Sequence, residues 1–211
     1  MELYWASGSP YSWRVMLGLM FKGLDYTDHV LSLDDREHKQ AGYTALNPRA
    51  RVPTLVDGEL VITESLAILA YLDHVYRRKP LFGTSGYDAA RIWRRVMELE
   101  NYAVAEAQPV VRALFFNTWL SDLDGLRVKT ARTFKELDTL EETLEGGPFT
   151  AVDCMIVPLV KSLERASTKS GASNVGLLPL NLAKRWPRLA ARVVEVEAHP
   201  GYDRTFPPHW R

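Results

Sequence analysis

Apolar positions change their period along the chain, and the change divides it. Leu3-Tyr4-Trp5 is a short aromatic run that reads as a strand. Ser9-Pro10 then opens a helix that runs to Phe21 and is stopped by Gly23. Ser can accept a hydrogen bond from an orphan N–H of the first turn, and Pro in the first helical position has no N–H to lose. Residues 26–31 predict a second strand and residues 34–43 a short polar helix. Residues 54–56 and 60–62 flank Asp57-Gly58-Glu59 and predict a hairpin with an Asp-Gly turn. An amphipathic helix follows over 64–76, with Leu66, Leu69, Ala70 and Leu72 at helical spacing. The order β-α-β-α-β-β-α describes an α/β module, a small sheet covered by helices.

Arg77-Arg78-Lys79-Pro80 and the Gly/Ser-bearing stretch 83–86 read as a linker, after which no strand is predicted. Ile92, Val96, Leu99, Ala103, Val110 and Leu114 keep one helical phase, with Pro109 expected to kink it. Leu126, Phe134, Leu137, Leu140 and Leu144 form a second stripe ending at Gly146-Gly147. Thr150 and Asp153 have capping-box spacing, with Asp for the usual Glu. Val152, Ile156, Leu159, Val160 and Leu163 then face one way, with a bend expected at Pro158. Trp186-Pro187 starts a final helix with Leu189, Val193 and Val196, ended by Pro200-Gly201. The partition is therefore 1–79 as the α/β domain, 80–86 as linker and 87–211 as an all-helical domain.

Composition narrows the partners. The 211 residues carry 26 Lys+Arg against 26 Asp+Glu, and the balance is local as well as global. Residues 1–80 hold 9 basic and 10 acidic groups. A nucleic-acid groove or an anionic membrane surface requires a basic excess, so neither partner is expected. The single Cys154 cannot form an intrachain disulfide or a CxxC pair. The first residues lack a basic n-region, and no uncharged stretch approaches the roughly 20 apolar residues of a membrane span. A soluble, cytoplasmic protein is expected. Five dispersed His residues with no HExxH and no Cys cluster give no expectation of a metal.

Candidate chemistry gathers in the first module. Ser7-Gly8-Ser9-Pro10-Tyr11-Ser12-Trp13-Arg14 joins the first strand to the first helix. N–H groups at a helix start favour an anion, and a hydroxyl there can donate to a thiolate without ionising. Ser9 has an equally ordinary use as the helix cap, and the two uses are compatible. Val52-Pro53-Thr54-Leu55 heads a strand; a cis Pro53 would turn the Val52 N–H and C=O outward to pair with an extended ligand. Glu64-Ser65 begins a helix, where acid and hydroxyl complement the helix dipole. They could equally hold a small zwitterion, Glu64 its ammonium and Ser65 its carboxylate. Singly, Arg51 and His38 read as solvated surface residues. Together with Ser9, Val52, Glu64 and Ser65 they match a thiol peptide with two carboxylates and one amine.

On these residues the chain resembles the glutathione transferase superfamily. The matching segments are Ser9-Pro10-Tyr11-Ser12, Asn47-Pro48 before Val52-Pro53-Thr54-Leu55, Glu64-Ser65-Leu66-Ala67-Ile68-Leu69-Ala70-Tyr71-Leu72, and Phe149-Thr150-Ala151-Val152-Asp153. The resemblance implies a thioredoxin-like domain followed by an all-α helical bundle, a cis Pro53, reduced glutathione as cosubstrate and a homodimer. Ser12-Trp13-Arg14-Val15, Gln108-Pro109, and Val157-Pro158 followed by Glu164-Arg165 are similar to the zeta class. That likeness implies Ser9 as the catalytic hydroxyl, with Ser12 its rival. It further implies His38, Val52, Glu64, Ser65 and Gln108 at glutathione contacts and Arg165 at a substrate carboxylate. The departure is at Tyr11: zeta has Ser-Ser-Cys-Ser where this chain has Ser-Pro-Tyr-Ser, a string similar to the tau and omega pattern. Loss of that Cys favours thiol addition over isomerisation.

The expected activity is stabilisation of the glutathione thiolate for attack on a small electrophile, held by Tyr11, Tyr102, Arg112 and Arg165. One alternative is a glutathione-dependent cis–trans isomerase of a small dicarboxylate. Another is a non-catalytic dimeric scaffold. The stretch 201–211, with Tyr202, Phe206, Pro207, Pro208 and Trp210, is too aromatic for a simple disordered end. It is expected to fold over either the substrate site or the first module.

Overall fold

A computed structural model describes every residue except Pro179 and Arg211. It divides into two compact units. The first comprises Met1–Ala89, Phe149–Cys154 and the segment from His199 onward, and the second comprises Ala90–Pro148 and Met155–Ala198.

The first unit holds the thioredoxin-like arrangement. Four strands, β1 (Glu2–Trp5), β2 (Thr27–Val30), β3 (Thr54–Asp57) and β4 (Leu60–Thr63), form one mixed sheet in the order β2-β1-β3-β4. β1 runs parallel to β2 and antiparallel to β3, and β3 and β4 are an antiparallel hairpin. Side chains alternate across β1. Leu3 and Trp5 enter a core with Val15, Met16 and Leu19 of α1 (Pro10–Lys22), Leu55, and Ile68 and Leu72 of α3 (Ser65–Val75). Tyr4 faces the other way, toward Tyr43 of the short α2 (Ala41–Thr44).

Helix α1 begins and ends as its sequence directs. Ser9 is its N-cap and Pro10 its first residue. Gly23 adopts φ 67°, which lets the Leu24 N–H reach the Leu19 carbonyl at 2.9 Å and close the last turn. The polar helix expected over 34–43 requires correction. Its place is taken by a 3₁₀ turn, Glu37–Lys39, and the separate α2. Arg36 sits at φ 57°, outside the helical basin, and side chains compete for the backbone. The Glu37 carboxylate accepts from the Ser32 N–H at 2.7 Å, and the Ser32 hydroxyl accepts from the Asp35 N–H at 3.1 Å.

Among the described residues every strand lies before Ser65, and the rest of the chain is helical. α4 (Gly86–Glu98) runs into a wide, i→i+5 segment, Leu99–Val104, and then α5 (Ala105–Phe115). Pro109 stays inside α5. In α6 (Leu123–Thr143) the buried stripe includes Thr130 and Thr133 beside Leu126, Leu137 and Leu140. Both hydroxyls are satisfied inside the helix, donating to the Leu126 and Lys129 carbonyls at 2.9 Å each. α7 (Ala151–Ser167) is buried at every position from Asp153 to Val160, a wider burial than the single face expected. Its start is a capping box: the Asp153 carboxylate accepts from the Thr150 N–H at 2.7 Å, and the Thr150 hydroxyl accepts from the Val152 N–H at 3.3 Å. α8 (Leu182–Arg185), α9 (Pro187–Glu197) and α10 (Tyr202–Thr205) follow.

The aromatic segment from Gly201 returns to the first unit. Trp13 donates its indole N–H to the Thr205 hydroxyl at 3.1 Å and meets Phe206 and Trp210 edge-on, with centroids 5.6 and 5.5 Å away. Arg204 stacks on Tyr26 at 4.2 Å and donates to its carbonyl at 2.8 Å.

Candidate functional site

Strand register brings three separate loops to one end of the sheet. Tyr4 on β1 pairs with Thr54 at the start of β3, and Thr54 pairs with Thr63 at the end of β4. The chain leaving β1 (Ser7-Gly8-Ser9), the chain entering β3 (Arg51-Val52-Pro53) and the chain leaving β4 (Glu64-Ser65) therefore share that end. β2 leaves from it too, since Leu31 donates its N–H to the Trp5 carbonyl at 2.7 Å on the way to His38. No two of these loops are neighbours in sequence.

Ser9 serves as a cap without exhausting its hydroxyl. Its Oγ accepts from the Ser12 N–H at 3.2 Å, which uses a lone pair and leaves the hydroxyl hydrogen to donate. Ser9 is half-buried, whereas Ser12 is 1% exposed and its Oγ has no hydrogen-bond partner. Tyr11 is half-buried, with the Arg14 guanidinium 4.6 Å from its ring centroid. That buried cation and the helix N-terminus give this end of α1 a positive field.

The other two loops are fixed by their own bonds. The Val52–Pro53 peptide is cis. The Arg51 carbonyl accepts from the Tyr43 hydroxyl and from Asn47 Nδ2 at 2.7 Å, while the Arg51 side chain stays exposed. Glu64 has φ 68° and ψ 114°, a conformation costing a non-glycine residue about 1–3 kcal/mol. Its carboxylate makes no cap bond to α3 and is exposed, while Ser65 beside it is buried. The Glu64 carboxylate still lies at the N-terminus of α3, where its charge complements the helix dipole. His38 is half-buried, with Nδ1 buried and lacking a hydrogen-bond partner.

The remaining sequence candidates belong to the second unit. Tyr102 is exposed on the wide segment, and Gln108 is half-buried on α5. Arg112 lies 5.9 Å from the Phe116 ring centroid, and Arg165 lies 6.0 Å from that of Phe115. Lys169 also reaches Phe115, at 5.1 Å. Its position four residues after Arg165 is the signal that would have found it.

Two other reactive groups are poorly suited to the chemistry. Tyr4 stacks on His29 with centroids 4.3 Å apart and bonds the Glu2 carboxylate at 3.3 Å. Burial and that carboxylate push its phenol above its ordinary value, and its hydroxyl hydrogen is already donated to Glu2. Burial, reinforced by Asp153, pushes the Cys154 thiol up as well. Among the described residues no group of three or more His, Cys, Asp or Glu is arranged to hold a metal ion. Among the same described residues no helix is long and apolar enough to cross a membrane.

One contact at the first loop has no counterpart in the sequence reading. His209 Nδ1 lies 2.6 Å from the Ser7 hydroxyl, two residues before Ser9. The separation of 202 residues leaves no local pattern by which to find it.

Comparison with known proteins adds a family to this geometry. Residues 8–75 match the family described as "Glutathione S-transferase, N-terminal domain". The chain is 27% identical to Glutathione S-transferase A of Pleuronectes platessa, over 100% of this chain and 92% of that protein. It is 30% identical to a probable maleylacetoacetate isomerase of Vibrio cholerae, over 97% and 93% respectively. Among solved structures, a glutathione S-transferase from the Antarctic clam Laternula elliptica superposes with a TM-score of 0.76 at 28% identity, covering 100% of this chain and 94% of that one.

Proposed function

Because the chain belongs to the glutathione S-transferase superfamily, we propose that it binds reduced glutathione at the loop-bearing end of its sheet and stabilises the thiolate for attack on a small electrophile. The observation that carries this reading is the register, which puts the Ser9 hydroxyl, the Val52 backbone and the Glu64-Ser65 pair at one end of the sheet. A γ-glutamyl tripeptide presents a matching set: Glu64 would take its ammonium, Ser65 a carboxylate, and Val52 its extended backbone. His38 and Arg51 would supply cations, Tyr11 and Pro53 would line the thiol peptide, and Gln108 would add a contact.

Ser9 is the proposed donor. It keeps a hydroxyl hydrogen and is accessible, whereas Ser12 is enclosed. A free thiol has a pKa of about 8.5, so only a few per cent is ionised at neutral pH. Lowering it by about two units requires about 2.7 kcal/mol of preference for the anion. One hydroxyl bond to a charged acceptor supplies about 1.5–3 kcal/mol, and a helix N-terminus about 0.3–1 kcal/mol. Neither a general base nor a metal is needed. Ser9→Ala should therefore cut conjugation of a chlorinated nitroaromatic at neutral pH by roughly 5–15-fold, the loss in thiolate fraction when the hydroxyl bond is removed and the helix N-terminus remains. Ser12→Ala should retain activity. The reverse pattern would reassign the donor.

A second reading, glutathione-dependent cis–trans isomerisation of a dicarboxylate, is favoured by Arg112 and Arg165 ranged along Phe116 and Phe115. Turnover of maleylacetoacetate or maleylpyruvate without consumption of glutathione would select it. Tyr102 would line the same substrate. We further propose a cytoplasmic homodimer; the exposed Leu60 and Val61 on edge strand β4 support self-association, which light scattering would test. A scaffold without catalysis would fail both turnover assays.

A further inference from the structure

The segment after Gly201 does more than cover apolar surface. It ends against the loop that carries Ser9, through a chain of three polar groups: Trp210, His209 and Ser7. The Trp210 indole N–H lies 3.0 Å from His209 Nε2, and His209 Nδ1 lies 2.6 Å from Ser7 Oγ. An indole nitrogen can only donate, so Nε2 must accept. The proton of a neutral imidazole then sits on Nδ1, which donates to Ser7 Oγ. Ser7 accepts this bond with a lone pair, and its own hydroxyl hydrogen remains a donor.

Gly8 shows independently that the loop and the segment are fitted together. It has φ 79°, a backbone conformation that L side chains rarely adopt. A Cβ there would lie 2.8 Å from His209 Cε1 and 3.4 Å from Trp210 Nε1, closer to the imidazole than real Cβ atoms come. The imidazole thus occupies space that only a glycine leaves open. Upstream, Thr205, Phe206 and Trp210 are held by Trp13, three residues into α1, so the imidazole is tied to the same helix start it supports.

We propose that His209 is a positioning residue of the glutathione site, fixing the Ser7-Gly8-Ser9 loop through Ser7 and leaving the Ser7 hydroxyl hydrogen as a second donor for the bound peptide. The proposal rests on the transferase reading above for what the loop binds. It does not rest on it for the hydrogen bond. Two kinds of measurement separate these.

In the free protein, ring ¹⁵N spectra should report His209 protonated on Nδ1, the resonance being assigned by its loss in His209→Asn. Exchange of the Ser9 amide, bonded to the Ala6 carbonyl at 3.1 Å, should quicken in His209→Ala and remain slow in His209→Asn. The Asn amide nitrogen can stand where Nδ1 stands and keep the donor. An Nε2-protonated ring, or unchanged Ser9 exchange in His209→Ala, would overturn the proposal whether or not glutathione binds.

In turnover, His209→Ala and Ser7→Ala should each lower kcat/KM for glutathione about fivefold, chiefly through KM, as for loss of one hydrogen bond. His209→Asn should stay within about twofold of the parent. The double variant Ser7→Ala/His209→Ala should be no worse than the poorer single one, because both remove the same bond. Multiplying effects, or an Asn variant as impaired as the Ala variant, would refute the positioning role. If the parent enzyme neither binds nor turns over glutathione, the transferase reading falls, and the spectra and exchange still judge the contact.

Discussion

Lys22 offers the sharpest test of how the first unit is held together. Its side chain is 0% exposed, and its ammonium donates to Asp73 at 2.8 Å and to the Arg78 and Lys79 carbonyls at 3.2 Å each. Asp73 in turn accepts from the Leu81 N–H at 2.6 Å and the Phe82 N–H at 3.0 Å. The last residue of α1, the final turns of α3 and the connecting chain 78–82 thus meet at one buried ion pair. Lys22→Met would leave the Asp73 carboxylate without its cation and two carbonyls without their donor. Breaking a buried pair from one side costs about 3–5 kcal/mol, against about 0–1 for an exposed pair. For a chain of this size that lowers the melting temperature by roughly 6–20 °C. Asp73→Asn should cost a similar amount, since it strands the ammonium and points an amide N–H at backbone donors. The double variant should cost less than the two losses combined, because the second substitution removes the charge the first left unpaired. Leu81 and Phe82 would still lack an ionised acceptor, so the parent stability would not return. Urea denaturation of the four proteins measures all of this. A Lys22→Met loss below about 1 kcal/mol would show that the pair behaves as if solvated and would refute the reasoning.

Two further predictions concern α7. Burial first, and Asp153 second, hold the Cys154 thiol well above 9.0, so the unfolded chain loses this proton before the folded one does. This contribution to stability is intact below that pH and is lost as the pH rises above it. Between about pH 8 and about pH 10, the stability of Cys154→Ala should fall less steeply than that of the parent, by up to about 1.4 kcal/mol per unit, and parallel urea midpoints would contradict it. Asp153→Ala should destabilise by about 1–2 kcal/mol through loss of the capping box, and Asp153→Asn by less because one acceptor oxygen remains. Thermal melts compare the two.

Legibility in the sequence followed the range of the interactions. Ser9-Pro10 and Gly23 bound α1 through contacts within five residues, and both ends were readable. The Asp-Gly hairpin and the Thr150/Asp153 cap are equally local. The helix expected over 34–43 misled because helical spacing ignores Arg36 in the left-handed region and the side chains of Ser32 and Glu37 on the backbone. In α6 the core stripe includes Thr130 and Thr133, which a search for apolar periodicity passes over, since their hydroxyls are satisfied inside the helix. The candidate site was legible as residue types. Its assembly was not, because the pairing of Tyr4 with Thr54 is decided by the sheet rather than by any neighbour of either residue. His209 lay further beyond reach, paired across 202 residues.

The return of the 201–210 segment onto Trp13 also bears on how the protein is made. Residues 1–89 leave the ribosome before residues 201–210 and contain the whole sheet with α1 and α3. The surface of α1 around Trp13 stays uncovered until residues more than a hundred positions later have been added. At ~5–20 residues per second that interval is roughly 5–20 s, long compared with the folding of a small α/β unit. Throughout that interval the indole of Trp13 lacks its partners Thr205, Phe206 and Trp210, and the Ser7-Gly8-Ser9 loop acquires the His209 restraint only once this segment has been made.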